Sequence, residues 1–246
     1  MRVAVFRPLF TPRSRHGVCL HPWVSSLDPM RDLYYDQLDG IVDDLVSMAS
    51  TVREAVLEST QALLNADQAA AEAVISGDKS VDEARELIEE QAFQLLATQQ
   101  PVAGDLRMLV ATLRMVADLE RIGDLAGHVA KVARLRMPAV AVPPTLRETI
   151  TTMASVAETM VDSAARILAE RDVEAAADLE REDDQMDQLR RSLFRTLLSD
   201  EWSYGVEPAI DIALLGRYYE RIGDHAVSMG RRVIYLVTGE HPVTVA

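Results

Sequence analysis

One five-residue word occurs twice in this chain: Glu120-Arg121-Ile122-Gly123-Asp124 returns unchanged as Glu220-Arg221-Ile222-Gly223-Asp224. An identical word at a fixed offset marks an internal duplication, so two stretches must fold alike and present the same residues at the same place. Ala and Leu are abundant, aromatic residues are only 5% of the chain, and glycine is sparse within the periodic stretches. That mixture suits helices rather than sheets. The expected fold is all-α: six long helices in two tandem, homologous three-helix bundles. The units are placed at residues 30–138 and 143–240.

The composition also excludes several classes. A formal charge of −14 argues against a nucleic-acid groove, which needs a basic stripe. One cysteine, Cys19, rules out a disulfide framework and any multi-cysteine metal site. No run of eighteen or more apolar residues is present, so no membrane-spanning helix is expected. The chain reads as soluble and cytoplasmic.

Residues 1–29 stand apart. They hold Arg2, Arg7, Arg13 and Arg15, prolines at 8, 12, 22 and 29, and one acid, Asp28. Their net charge of +3 leaves −17 for residues 30–246. The apolar run Val3–Phe6 is too short for a secretory h-region. A disordered extension, or a start codon assigned too early, is the expected reading.

From Leu33 to about Ala66 the pattern is heptad-like, with Leu38, Leu45 and Val52, and Ile41, Met48 and Ala55, each repeating at seven. After a turn at Asn65-Ala66-Asp67, a second helix is expected from Gln68 to Thr98, with Val74, Val81, Ile88, Ala92 and Leu95 on one stripe. Gly77 lies inside it. Pro101 is placed in the first turn of a third helix, where a missing N–H costs least, and that helix runs to about Arg136. Prolines 138, 143 and 144 form the connection. The second unit repeats the scheme over about Leu146–Glu170, Val173–Leu198 and Val206–Val237, with Met153, Met160 and Ile167 at heptad spacing.

On a wheel of about 100° per residue, Leu106, Leu109, Val110, Leu113 and Ala117 share a stripe that Glu120 and Asp124 continue. Val206, Ala209, Ile210 and Ala213 lead in the same way to Glu220 and Asp224. Two acids four apart repel one another, and partial burial makes each costly unless a cation compensates. Asp78 and Asp82 are four apart on the second helix, and Asp183 and Asp187 on the fifth. Antiparallel helices bearing these pairs would gather four carboxylates, a set suited to a hard or borderline multivalent cation. With 39 acids in the chain, roughly six such pairs arise by chance, so each alone is weak. The duplicated word is the stronger signal. A structural network neutralised by Arg121 and Arg221 is the competing reading. Mid-helix Gly123 and Gly223 imply close approach of another helix. His128 reads as a satisfied core histidine, His225 as pointing to a different face from Asp224. Arg217 takes the place of Ala117, so the two sites need not be equivalent.

At these residues the chain resembles the PhoU family of regulators of bacterial phosphate transport and phosphate signalling. The similarity spans about residues 30–240 and rests on Gln100-Pro-Val-Ala-Gly-Asp-Leu-Arg107, Leu119-Glu-Arg-Ile-Gly-Asp124 and Glu220-Arg-Ile-Gly-Asp-His-Ala226, with Asp78-Lys-Ser-Val-Asp82 and Asp183-Asp-Gln-Met-Asp187 as partner motifs. It implies two three-helix bundles and metal clusters held by paired E/DxxxD motifs. Asp78, Asp82, Glu120 and Asp124 would form one site and Asp183, Asp187, Glu220 and Asp224 the other, with Asp105 as an extra ligand. The metal would be Mg, Mn, Fe or Zn. The resemblance further implies a non-catalytic negative regulator of phosphate uptake and phosphate-starvation signalling. Such a protein often dimerises, contacts the phosphate ABC transporter ATPase and a phosphate-sensing histidine kinase, and meets the membrane only through them. A carboxylate-bridged, metal-dependent helical-bundle enzyme is the rival class. Those enzymes use Glu-x-x-His, which does not occur near these motifs.

Overall fold

A computed structural model of the chain describes residues 29–240. Residues 1–28, with Cys19 and the basic segment considered above, lie outside the described residues, as do residues 241–246. The helices are α1 (Pro29–Asn65), α2 (Gln68–Gln99), α3 (Ala103–Arg136), α4 (Arg147–Glu170), α5 (Val173–Leu197) and α6 (Val206–Thr238), with a single 3-10 turn at Pro144–Leu146 before α4. No strand occurs among the described residues. The all-α expectation holds.

The two halves turn alike. Ala66 and Arg171 adopt left-handed backbone conformations (φ 51° and 55°), and an aspartate follows each. Asp67 accepts from the Ala70 N–H, and Asp172 from the N–H groups of Glu174 and Ala175. These acceptors satisfy donors that the first turn of each following helix leaves open. Both turns therefore reverse the chain tightly and lay α2 against α1 and α5 against α4.

The heptad residues fill the cores. Leu38, Leu45, Val52, Ile41 and Met48 are buried, as are Val74, Val81, Ile88, Ala92 and Leu95 of α2 and Met153, Met160 and Ile167 of α4. Helix α1 begins at Pro29, one residue before the expected start of the first unit. One boundary differs from the sequence reading. Pro101 is not in the first turn of α3: Gln100 ends α2 in a left-handed conformation, and α3 starts at Ala103. A residue before proline is driven out of the right-handed helical region, so Pro101 ends one helix rather than opening the next. Gly77 causes no break in α2.

Helices α1 and α3 of the first bundle pack on α4 and α6 of the second, while α2 and α5 pack only on their own bundles. The seam is thus four helices wide, with α2 and α5 on the outer flanks. Because α3 packs on α2 and on α6, it is buried from two directions, as its two apolar sides require. The arc most deeply covered carries Met115, Val116, Leu119 and Ile122. The stripe that leads to Glu120 is more open than expected: Leu106 and Val110 are exposed, as are Val206 and Ile210 on α6. The seam takes the neighbouring arc of each helix and leaves the motif stripe at the edge of the flanking helix.

Polar groups cross the seam at several places. Arg53 of α1 pairs with Glu158 and Asp162 of α4 at 3.4 and 3.6 Å. The Thr60 hydroxyl and the wholly buried Tyr219 hydroxyl lie 2.8 Å apart. Arg136, at the end of α3, makes a two-pronged contact with buried Asp211 at 2.5 and 3.0 Å and also pairs with Glu207. Those hydrogen bonds hold the Arg136 guanidinium well above its ordinary pKa.

Candidate functional site

Each repeated word faces its partner motif across a close helix contact. Val81 lies between Asp78 and Asp82 on α2, and Gly123 between Glu120 and Asp124 on α3. Val81 Cγ1 stands 3.3 Å from where a Cβ on Gly123 would be. In the second bundle, such a Cβ on Gly223 would meet Met160 Sδ at 3.2 Å and Asp183 Oδ1 at 3.3 Å. Both mid-helix glycines therefore sit where another helix comes closest, as their sequence position implied.

In the first bundle the four acids feel one another. Burial raises the Asp78 carboxyl above its ordinary pKa, and Asp124 and Asp82 add to the rise against Lys131 and His128. Glu120 is raised by burial and then by Asp124, with Asp82 contributing and Arg121 and Arg85 opposing. Desolvation and like charge disfavour the ionised forms together. Arg121 reaches Asp124 at 2.9 Å and Glu120 at 3.7 Å, and Arg85 stands 3.8 Å from Asp82.

In the second bundle Asp183 carries the strain. Burial, then Asp224 and Asp187, push its carboxyl up to about 6, with Arg231 opposing. Buried Glu220 is held differently: Arg190 lies 3.4 Å away, and Arg217 donates to its other oxygen. Asp187 accepts from Arg191 at 2.8 Å. The inequivalence that Arg217 suggested is present. Asp105 lies apart from both groups, in the first turn of α3 and about 22 Å along the helix from Glu120. It stands near Tyr34, whose hydroxyl is pushed up to about 12 by burial and then by Asp105.

The donor sets hold oxygen only, which suits hard cations. Among the described residues, no three His, Cys, Asp or Glu side chains stand close enough to hold one ion as they are placed. Asp124, Asp187 and Glu220 are each turned onto an arginine instead. The first site, where Arg121 only approaches Glu120, is more open to a cation than the second, where Arg190 and Arg217 hold Glu220.

The histidines need correction and extension. His128 is exposed rather than a core residue: its Nδ1–H donates to the Asp124 carbonyl at 2.7 Å, and its ring lies 5.4 Å from that of Tyr218. His225 does turn away from Asp224, and its Nδ1 meets Asp118 Oδ1 at 3.0 Å. Arg232 takes the other oxygen of buried Asp118 at 2.9 Å. Asp118 was not singled out from the sequence. Its position between Met115 and Leu119, inside the apolar arc of α3, was the available signal.

Fold and site together define an internally duplicated, all-helical protein with an acidic helix pair in each half. A model of the PhoU domain matches residues 45–133 and again 150–233, one copy in each bundle, and the chain belongs to the PhoU family. It is 45% identical over 213 residues to a phosphate-specific transport system accessory protein, PhoU homolog 2 of Mycobacterium tuberculosis, covering 87% of this chain and 100% of that protein. A Rhizobium meliloti PhoU homolog is 33% identical over 212 residues, covering 84% and 88%. The crystal structure of PhoU from Pseudomonas aeruginosa superimposes with a TM-score of 0.79 at 30% identity, covering 84% of this chain and 100% of that one. A role as an accessory protein of phosphate transport follows from the family. No helix among the described residues is long and apolar enough to cross a membrane.

Proposed function

We propose that this chain is a negative regulator of phosphate uptake and of phosphate-starvation signalling, acting without catalysis through contacts with other proteins. Its partners on this reading are the ATPase of the phosphate ABC transporter and a phosphate-sensing histidine kinase, met in the cytoplasm by a homodimer. Family membership supports the phosphate role, and relatives described as accessory proteins support a regulator over an enzyme.

The observation that carries the metal part is the meeting of DxxxD and ExxxD in both bundles over a glycine contact. Asp78, Asp82, Glu120 and Asp124 would hold ions in the first, and Asp183, Asp187, Glu220 and Asp224 in the second. A bound cation would supply the positive charge that the raised carboxyls lack. The chain's own residues hold the two motif-bearing helices in register, and Arg121, Arg190 and Arg217 occupy the acids until an ion displaces them.

The test is a phosphate-starvation promoter reporter in cells depleted of the protein and grown in ample phosphate. The reporter should switch on, and the wild-type chain should silence it. Failure of Glu120→Ala/Glu220→Ala to silence it, with metal content lost from the purified variant, supports the sites. Full silencing by a demonstrably metal-free variant would leave the regulator and remove the metal from its mechanism.

A further inference from the structure

The first bundle outreaches the second at one end. Measured from the matching Asp67 and Asp172 turns, α1 has 37 residues where α4 has 24, and α2 has 32 where α5 has 25. The stretch 33–41 of α1 and the last turns of α2 therefore have no counterpart in the other half. Between them runs a groove of about 720 Å³, some 17 Å long by helical rise, with Leu33, Ile41 and Leu95 on its apolar walls.

Among the described residues, the polar lining includes no Lys, Arg or His. Asp43 and Asp44 stand at its rim, and no ion pair forms on either among the described residues. On the α2 side, Gln91 Oε1 is buried without a hydrogen-bond partner. A buried acceptor left unpaired costs stability, so an occupant that brings donors is favoured there. Gly40 opens the floor: a Cβ there would meet nothing within 4 Å.

We infer that this groove binds a cationic amphipathic helix of a partner protein, laid along α1 and α2 for about three turns. Leucine-like anchors fill the space over Gly40 between Ile41 and Leu95, and Lys or Arg side chains flank them to meet Asp43, Asp44 and the Gln91 carbonyl oxygen. Walls that carry the Asp43 and Asp44 carboxylates and no cation among the described residues disfavour nucleic acid and anionic lipid, because both carry negative charge. The groove lies apart from the paired acid motifs, so this inference does not depend on metal.

The probe is a fluorescein-labelled synthetic peptide of about 14 residues, with Leu at helical i, i+3, i+4 and i+7 spacing and Lys/Arg on the flanks. Its binding to the full chain is followed by anisotropy, beside a scrambled peptide of the same composition. Gly40→Leu fills the floor without changing charge and strengthens the helix, so it tests the groove without endangering the fold. Gly40→Leu and Asp43→Asn/Asp44→Asn should each weaken binding by about tenfold or more. Gly40→Ala, too small to fill the floor, and Asp200→Asn/Glu201→Gln, an exposed acid pair elsewhere, should leave it within about twofold. Equal binding of the scrambled peptide, or equal loss on the Asp200/Glu201 change, means attraction to net charge alone and overturns the proposal. No peptide binding, with a dimer that Gly40→Leu dissociates, gives the groove to a second copy of the chain and also overturns it.

Discussion

Asp118 of α3 and His225 of α6 meet 3.0 Å apart across the seam between the bundles, and Arg232 closes on the same carboxylate from α6. Asp118 lies two residues before Glu120 and His225 one residue after Asp224. The seam contact therefore anchors the back of both repeated words, while their acids face the flanking helices. Asp118→Asn should destabilise the protein by about 3 kcal/mol, because it strips charge from a buried pair and leaves Arg232 uncompensated. Urea unfolding of the variant beside wild type measures this. A loss within about 0.5 kcal/mol would mean the contact behaves like an exposed pair.

The pH dependence follows from Asp183, whose folded-state pKa of about 6 exceeds its ordinary 3.8. The folded chain binds this proton more tightly than the unfolded one. Its stabilising effect is complete below about pH 4, declines as pH rises, and is gone above about pH 6. In chelator, Asp183→Asn should therefore melt above wild type at pH 7.5, with the gap closing towards pH 4. Thermal melts across that range check it, and a gap independent of pH would contradict the shift.

The arginines make the two acid sites unequal. Glu220 is taken by Arg190 and Arg217, whereas Glu120 is only approached by Arg121, at 3.7 Å. Calorimetric titration with Mn2+ should resolve a tighter first site and a weaker second. Arg217→Ala should strengthen the weaker by about fivefold, the worth of one partly exposed ion pair, and leave the tighter unchanged.

Glycines on one protein should respond in opposite directions. Gly77 is exposed within α2 and a Cβ there meets nothing, so Gly77→Ala should stabilise by about 0.5–1 kcal/mol. A Cβ on Gly230 would fall 2.8 Å from Leu179 Cδ1 and 3.4 Å from the Ala176 carbonyl oxygen. Gly230→Ala should cost about 1–3 kcal/mol through overpacking. Denaturation midpoints of the two variants decide both.

The sequence by itself determined the helices, their number and the pairing of their motifs. Leu45 and Val52, or Met153 and Met160, repeat at the period of a buried helical face, and Asp67 and Asp172 cap the turns between helices. Such signals are local, since a helix is set by neighbours within a turn or two. The duplicated word also located the acids, because one pattern written twice needs no partner to be noticed. Only the tertiary structure decided which arc of α3 enters the seam. Asp118 is buried there while Leu106 and Val110 stay exposed, an outcome opposite to their hydrophobicity. Arg136 found Asp211, Thr60 found Tyr219, and His128 came to lie outside the core against Tyr218, through contacts between residues 75, 159 and 90 positions apart. A charge is buried where a distant residue compensates it, and the one-dimensional pattern does not say which distant residue that is.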